Sequence, residues 1–402
     1  MNLLFVNYGG FDSQSAIHIF HFANELVQLG ANCAVAVPGN PQKVETIGKP
    51  KFSPLDFRQL ESGDYSFAQG RPPDIVHAWT PREIVRLRVA PIVLRHRCPY
   101  VVHLEDNEQQ LTEDALGVKF DELASLPSQQ LNQLIPPQLA HPIRARRFIE
   151  GASALTVIID RLLEFKPENI PGLVIWPSYS ENFASIPPEN PAMRRHLGVP
   201  DDCFVVVYPG NVHASNCAEV RSLYLAIALL NRRGFKVRLV RLGRDYVPLF
   251  QGEQDPTRDF CIELGFRPQH ESVAEVLSIA DALVQPGSSN SFNDYRFPSK
   301  LTEFLISGRP VILPFSNVGR HLTSGSDCIH LYKGAAIEIA EAVSVLIKNE
   351  ALRARIGVSG RQFAEREFSW AKHANALFEL YGSVMSRRSS CSDEESDGLL
   401  ES

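Results

Sequence analysis

Short apolar runs recur along most of the chain, separated by stretches in which apolar residues return every three or four positions. Runs bounded by turn residues predict buried parallel strands, and the three-to-four spacing predicts helices with one apolar face. Leu3 to Asn7 reads as the first strand, with Tyr8-Gly9-Gly10 as a glycine turn. A helix follows through His18, Phe22, Leu26 and Leu29, stopped by Gly30, and Cys33 to Val37 returns as a second strand. That is a βαβ unit. Further strands are predicted at Ile75–Trp79, Tyr100–Leu104, Leu155–Ile159 and Leu173–Trp176, with a helix over Pro81–Arg97. Residues 40–73, rich in Pro, Gly and polar groups, predict loop.

The stretch Pro177 to Pro200 holds five prolines, and it predicts an interdomain linker. A second alternating series then begins with strand Phe204–Tyr208 and the turn Pro209-Gly210-Asn211. The next helix opens at Asn216, and Glu219 three positions later predicts a capping box. Strand Val237–Leu242, a turn at Glu263 to Phe266, helix Val273–Ile279, strand Ala282–Gln285, strand Val311–Leu313 and a helical region over Ala340–Met385 complete the series. The expected organisation is an N-terminal domain over 1–177, a linker over 178–200 and a second domain over 201–365. A C-terminal helix over 366–386 crosses back to the first domain, and an acidic, serine-rich tail over 387–402 is disordered. Two parallel α/β halves bind ligands at the carboxyl ends of their strands, so the expected site is the cleft between them.

One stretch stands out by its charge. Asn293 to Leu305, closed by Gly308-Arg309-Pro310, predicts a loop, a helix start at Pro298 and a short helix whose Leu301, Phe304 and Leu305 face inward. Arg296 and Lys300 flank the start of that helix, where the macrodipole disfavours cations. A bound anion among them, met also by free backbone N–H groups, would explain the pair, and phosphate or diphosphate is the leading candidate. The alternative is that both are solvated, or paired with Asp294 and Glu303.

Composition narrows the class. With 402 residues, 44% hydrophobic and 21% charged, the chain suits a globular protein of two or three domains. A net charge of −6 gives no basic field for nucleic acid. The seven cysteines are scattered with no CxxC pair or zinc spacing, as expected of free thiols in a reducing cytosol. Neither a signal peptide nor a spanning run of about 18 apolar residues is present, so a cytoplasmic location is expected, with peripheral membrane contact left open.

The ordered motifs are similar to those of the retaining GT-B fold glycosyltransferases of the "glycosyl transferases group 1" family. The resemblance is carried by Tyr8-Gly9-Gly10, Asp74-Ile75-Val76-His77, Tyr100-Val101-Val102-His103, Tyr208-Pro209-Gly210-Asn211 and Leu264-Gly265-Phe266. It continues through Ile279 to Pro286, Pro298 to Glu303 and Gly308 to Ile312, and covers about residues 1–385. It implies two Rossmann-like domains facing a central cleft and transfer of a sugar from a nucleotide-diphosphate sugar. Retention, no metal and no cofactor beyond that co-substrate are implied as well. The acceptor would be a glycan, a lipid-linked glycan or a small molecule. Position by position, Glu303 would bind the ribose hydroxyls, while Arg296 and Lys300 would hold the diphosphate with main-chain help at Gly210 and Asn211. Phe266 and Arg267 would border the base, His103 would face the donor sugar, and the Gly9-Gly10 loop would line the cleft near the diphosphate or the acceptor, with Glu105 and Asp106 as further acceptor or cleft-loop candidates. Eight positions before Glu303, where the family often has an acid, stands Tyr295, with Asp294 beside it. Sugar-hydroxyl recognition therefore falls to Asp294 or goes unfilled. The Arg and Lys that commonly follow the glycine at Gly210 are absent, and Arg296 is the candidate to replace their charge.

Other readings stay open. The run His103 to Glu108 could be a solvated loop, a metal site or a source of a general base. His18 and His21 read as surface or cap residues, His77 as structural, and the arginines of 82–97 as a solvated face. A nucleotide-sugar epimerase of the same architecture and a non-catalytic nucleotide-sugar-binding subunit are the competing functions.

Overall fold

The structure, a computed structural model, describes residues 1–63, 67, 70–187, 189–250, 255–267 and 270–390. Two compact units make up the chain. Met1–Pro177 and the helix Trp370–Ser390 form the first, and Ser178–Ser369 forms the second.

The first unit is built on seven parallel strands: β1 (Asn2–Asn7), β2 (Asn32–Val37), β3 (Ser53–Asp56), β4 (Ile75–Trp79), β5 (Tyr100–Leu104), β6 (Ala154–Val157) and β7 (Gly172–Val174). Their order is β3-β2-β1-β4-β5-β6-β7, with Leu3 opposite Cys33 on one side and Ile75 on the other. β1, β4 and β5 are buried along their whole length, which is why each reads as an unbroken apolar run. The chain builds outward from β1 to β3 and then crosses to β4 on the other side of β1, so the loops leaving β1 and β4 part at their carboxyl ends. β3 and the helix Phe57–Ser62 occupy part of the stretch 40–73 that composition marks as loop. Pro54 is accommodated because β3 is the edge strand, where a missing N–H is tolerated.

The helix Trp370–Ser390 completes this unit's core. Ala374, Leu377, Tyr381 and Val384 recur at helical spacing and are buried with Leu3, Phe5 and Trp79. Trp370 stacks on His21 at 4.6 Å and meets Phe22 edge-on at 5.0 Å, so His21 is not a surface residue, and burial lowers its pKa to about 4. His77 is held from both ring nitrogens, by the Tyr381 hydroxyl at 2.7 Å and the Thr156 hydroxyl at 3.0 Å. The arginines of 82–97 are a solvated face only at Arg95 and Arg97, which are exposed. Arg86 is buried and forks onto Glu83 at 2.7 and 3.0 Å, and the largely buried Arg82 donates to Glu108 at 2.8 Å. Of the expected tail, residues 387–390 continue the last helix, and the remainder lies outside the described residues.

The second unit has six parallel strands: β8 (Phe204–Pro209), β9 (Val237–Leu242), β10 (Cys261–Glu263), β11 (Ala282–Val284), β12 (Val311–Pro314) and β13 (Ile329–Leu331). Their order, β10-β9-β8-β11-β12-β13, places its reversal between β8 and β11. β10 and β13 are three-residue edge strands, too short to leave a period in the sequence. The proline-rich stretch after Pro177 is not a free linker. It carries helices Glu181–Ala184 and Pro191–His196, Phe183 is fully buried, and Arg194 donates to Asp281 at 2.7 Å. Among the described residues no helix is long and apolar enough to cross a membrane.

Tyr381→Phe should destabilise the protein by roughly 1–3 kcal/mol, because it leaves a buried imidazole nitrogen without its partner. Urea unfolding measures this, and a change under about 0.5 kcal/mol would show that the His77 bond does not hold the last helix in place.

Candidate functional site

A cavity of about 560 Å³ opens at the carboxyl ends of β8, β9 and β11, where the strand order reverses. All of its lining belongs to the second unit. β8 delivers Gly210 and Asn211, β9 delivers Gly243, and the segment Arg296–Glu303 closes the far wall.

Close approach of backbone explains the glycines. A Cβ on Gly210 would lie 2.5 Å from the Tyr208 ring and 2.8 Å from Lys300 Nζ. Gly243 adopts φ +127, and a Cβ there would lie 2.3 Å from the Gly210 carbonyl oxygen. The two loops are also tied by Gly210 N–H donating to the Leu242 carbonyl at 2.8 Å and Arg244 N–H donating to Asn211 Oδ1 at 2.8 Å. The Gly210 N–H is thus spent within the sheet, and the main-chain help expected there is not available from it.

Lys300 Nζ reaches the vacated space, 3.4 Å from the Tyr208 hydroxyl and 4.8 Å from its ring centre. Arg296 rests its guanidinium 4.7 Å above the Phe292 ring. The helix after them, Lys300–Ile306, begins with tight turns: Leu301 N–H donates to Pro298 and Thr302 N–H to Ser299. Two of the N–H groups expected to meet an anion are therefore used internally, and the positive charge facing the cavity comes from side chains.

Two carboxyls share that cavity. Burial pushes Glu303 up to about 7, against the opposing pull of Lys300. Burial also raises Glu219, while its hydrogen bond from Asn293 Nδ2 at 2.9 Å and the charges of Arg296 and Lys300 work the other way. Glu219 is a residue the sequence reading assigned elsewhere. No capping box forms, since Asn216 instead accepts from His213 N–H and donates to the Asn211 carbonyl, closing the loop after β8. Phe183, hidden in the presumed linker, lines the cavity too. At the outer end Phe266 is half exposed, with Arg244 4.3 Å over its ring, and Arg267 lies beside it on the lining.

Asp294 is placed differently. It forms a double ion pair with Arg320, at 2.9 and 3.0 Å, and does not line the cavity. The sugar contact reassigned to it therefore has a competitor already in place.

His103, Gly9, Gly10, Glu105 and Asp106 belong to the first unit and line no part of this cavity. His103 stacks on Trp79 at 3.9 Å, accepts from or donates to Thr156 at 2.8 Å, and is held neutral by burial, which lowers its pKa to about 3. Glu105 is not part of a solvated loop. Burial raises its carboxyl, but His18 at 3.3 Å, His103 and the Ser15 hydroxyl outweigh that and hold it at about 2. His18 is accordingly buried, not a surface residue. Gly9 and Gly10 form the turn into the first helix, with Asn7 Nδ2 on the Gly9 carbonyl and Ser13 N–H on that of Gly10. Asp106 faces Arg82 at 3.9 Å. Among the described residues no group of three or more His, Cys, Asp or Glu is arranged to hold a metal ion.

Comparison with known proteins identifies the architecture. The chain matches no protein-family profile. It is 28% identical over 221 residues to the D-inositol 3-phosphate glycosyltransferase of Stackebrandtia nassauensis, a match spanning 50% of this chain and 46% of that protein, about half the relative's length. Among solved structures it resembles Anabaena Alr3699/HepE in complex with UDP, with TM-score 0.68 and 14% identity over 95% of this chain and all of that one. It also resembles a glycosyltransferase of Rickettsia africae (TM-score 0.65, 11% identity, 96% and 98% covered). WaaG, a glycosyltransferase involved in lipopolysaccharide biosynthesis, is similar at TM-score 0.62 and 14% identity, with 94% and 100% covered. Two parallel α/β units matched along their length to these structures show the GT-B fold.

The raised Glu303 carboxyl has a consequence for stability. The folded state holds its proton to higher pH than the unfolded chain, so the penalty for ionising it is absent below about 4.5, grows as pH rises, and is complete above about 7. Glu303→Gln should therefore be more stable than the parent at pH 8, by at most about 3 kcal/mol, and equal to it at pH 4.5. Urea unfolding at the two pH values reads the difference, and a gap that is constant with pH would place the carboxyl in a solvated setting.

Proposed function

We propose that this GT-B chain is a glycosyltransferase that moves a sugar from a nucleotide-diphosphate sugar to an acceptor hydroxyl. The reading is carried by one observation: Arg296, Lys300 and Glu303 converge on a single cavity at the strand-order reversal of the second unit. The similar HepE structure was solved with UDP, and others of it with UDP-glucose, which supports a nucleotide sugar as the donor here.

Each residue has a task in this scheme. Phe266 and Arg267 border the base at the outer end, and Glu303 accepts hydrogen bonds from the ribose hydroxyls. Arg296 and Lys300 face the diphosphate. In the reaction the bond from the anomeric carbon to the diphosphate oxygen breaks, and its electron pair leaves with the diphosphate. The acceptor oxygen forms the new bond on the same face, with retention, and its proton passes to the departing phosphate. Charge develops on the diphosphate as the sugar becomes cationic, so fixed cations beside it lower the barrier, the kind of term that is usually largest. Those two side chains supply the charge without a metal ion. Glu219, held by Asn293 Nδ2, lies within the field of both cations.

Lys300→Ala should lower kcat by more than tenfold, since one such donor is worth about 2–3 kcal/mol of transition-state stabilisation. Release of free nucleoside diphosphate from a panel of UDP-, ADP- and GDP-sugars is the assay. A loss below tenfold would remove Lys300 from the diphosphate, and interconversion of the sugar without release of nucleotide would identify an epimerase instead. Glu303→Ala should weaken donor binding at least tenfold by calorimetry, and unchanged affinity would take the ribose away from this side chain.

A further inference from the structure

The first unit contains a second cavity, of about 230 Å³, which the transfer chemistry above does not use. Its inner wall is largely apolar: Pro81 just past β4, Leu104 at the end of β5, and Phe120, Ile149 and Phe165 around them, with Gln109 and the exposed Arg146 and Glu150 also on the lining. Glu108 interrupts this surface. The side chain lines the cavity although it is only 7% exposed. One carboxylate oxygen accepts from Arg82 Nε at 2.8 Å. The other, Oε1, is buried and has no hydrogen-bond partner among the described residues. A buried acceptor left unpaired is costly, and such an atom calls for an explanation.

A second irregularity adjoins the first. Thr80, immediately before Pro81, is fully buried with φ +85, and its hydroxyl oxygen also has no partner among the described residues. A β-branched residue in that conformation is strained, and strain of this kind gathers at ligand sites. Both irregularities lie at the carboxyl ends of β4 and β5, the edge of a parallel sheet where ligands bind.

The chemistry of the walls narrows the occupant. An apolar cavity of about 150 Å³ takes up benzene, so this one has room for a ring with a short substituent. Glu108 Oε1 requires an N–H or O–H. The charges around the cavity are already matched: Glu108 is met by Arg82, and the lining carries one exposed cation, Arg146, and one exposed anion, Glu150. An ammonium at Glu108 would leave water for a carboxylate that already has its counter-charge, and an anion there would meet Glu108 together with the neighbouring Glu105 and Asp106. A neutral hydroxyl faces neither penalty. We propose that this cavity is a binding site for a hydroxyl-bearing ring or branched alkyl group. The O–H donates to Glu108 Oε1, and the carbons pack against Leu104, Phe120, Ile149 and Phe165. The site stands independently of whether the chain transfers sugar.

The test uses the full chain with three probes of one size: benzyl alcohol, benzylamine and toluene. Ligand-observed NMR titration gives the affinities, and a crystal soaked in benzyl alcohol gives the position. Benzyl alcohol should bind at least tenfold more tightly than either other probe, with its oxygen within hydrogen-bond distance of Glu108. Glu108→Met, close in shape, should erase the preference for the alcohol over toluene. Since that change leaves Arg82 without its partner and can unfold the unit, Ile149→Trp provides a second check. Ile149 is half-buried at the wall, and the larger ring should block all three probes while circular dichroism is retained. Equal affinities for alcohol and toluene, tighter binding of benzylamine, or binding undiminished in Ile149→Trp would each overturn the proposal.

Discussion

Everything at the cavity of the second unit depends on how closely two stretches of backbone approach. The ends of β8 and β9 touch at Gly210 and Gly243 with no room for a Cβ, and the space so left is where the Lys300 ammonium sits against Tyr208. A side chain at either glycine would displace the other loop or the cation. Electrostatics then follows from geometry. An ammonium and a guanidinium are fixed beside two carboxyls that burial makes reluctant to ionise, so the balance of charge leans positive without any counter-ion being imported.

This arrangement differs from an anion site made of helix N–H groups. The helix after Pro298 is short and the N–H groups of Leu301 and Thr302 are bonded within its opening turn, so the field comes chiefly from side chains held against aromatic faces: Tyr208 for Lys300 and Phe292 for Arg296. Ring faces attract cations while leaving their outer hydrogens free, which positions charge without neutralising it. An ion pair would have done the opposite, as Asp294 and Arg320 show a few residues away.

Much of the architecture was legible in the sequence, because strands buried on both faces must be apolar throughout. β4, β5 and β9 fall where the runs predicted them, residue for residue. The misses share a cause. β3, β10 and β13 are edge strands of three or four residues, below the length at which a pattern exists. The stretch after Pro177 was read as linker from its prolines, yet two of them start or precede short helices whose burial is decided by Phe183 and Arg194, single residues that periodicity does not weigh. At the site, Arg296 and Lys300 were visible as cations out of place at a helix start, while Glu303 entered only through the family resemblance. Glu219 was not, because its spacing from Asn216 fitted a local hydrogen bond that the loop geometry diverted. His18, Arg82 and Arg86 were misjudged for a related reason: burial of a charge depends on a partner that periodicity does not reveal, such as Glu105 for His18 or Glu108 for Arg82.

The first unit takes its final helix from the stretch of sequence that follows the second. Leu377 and Tyr381 fill a core whose other members, Leu3 and Phe5, are made before the whole of the second unit. On the ribosome the earlier-made unit must wait, with an apolar surface uncovered, while the later-made one can close as soon as it emerges. Order of translation and order of completion are thereby inverted, and the nascent sheet around β1 is the part most exposed to chaperones or to aggregation during that interval.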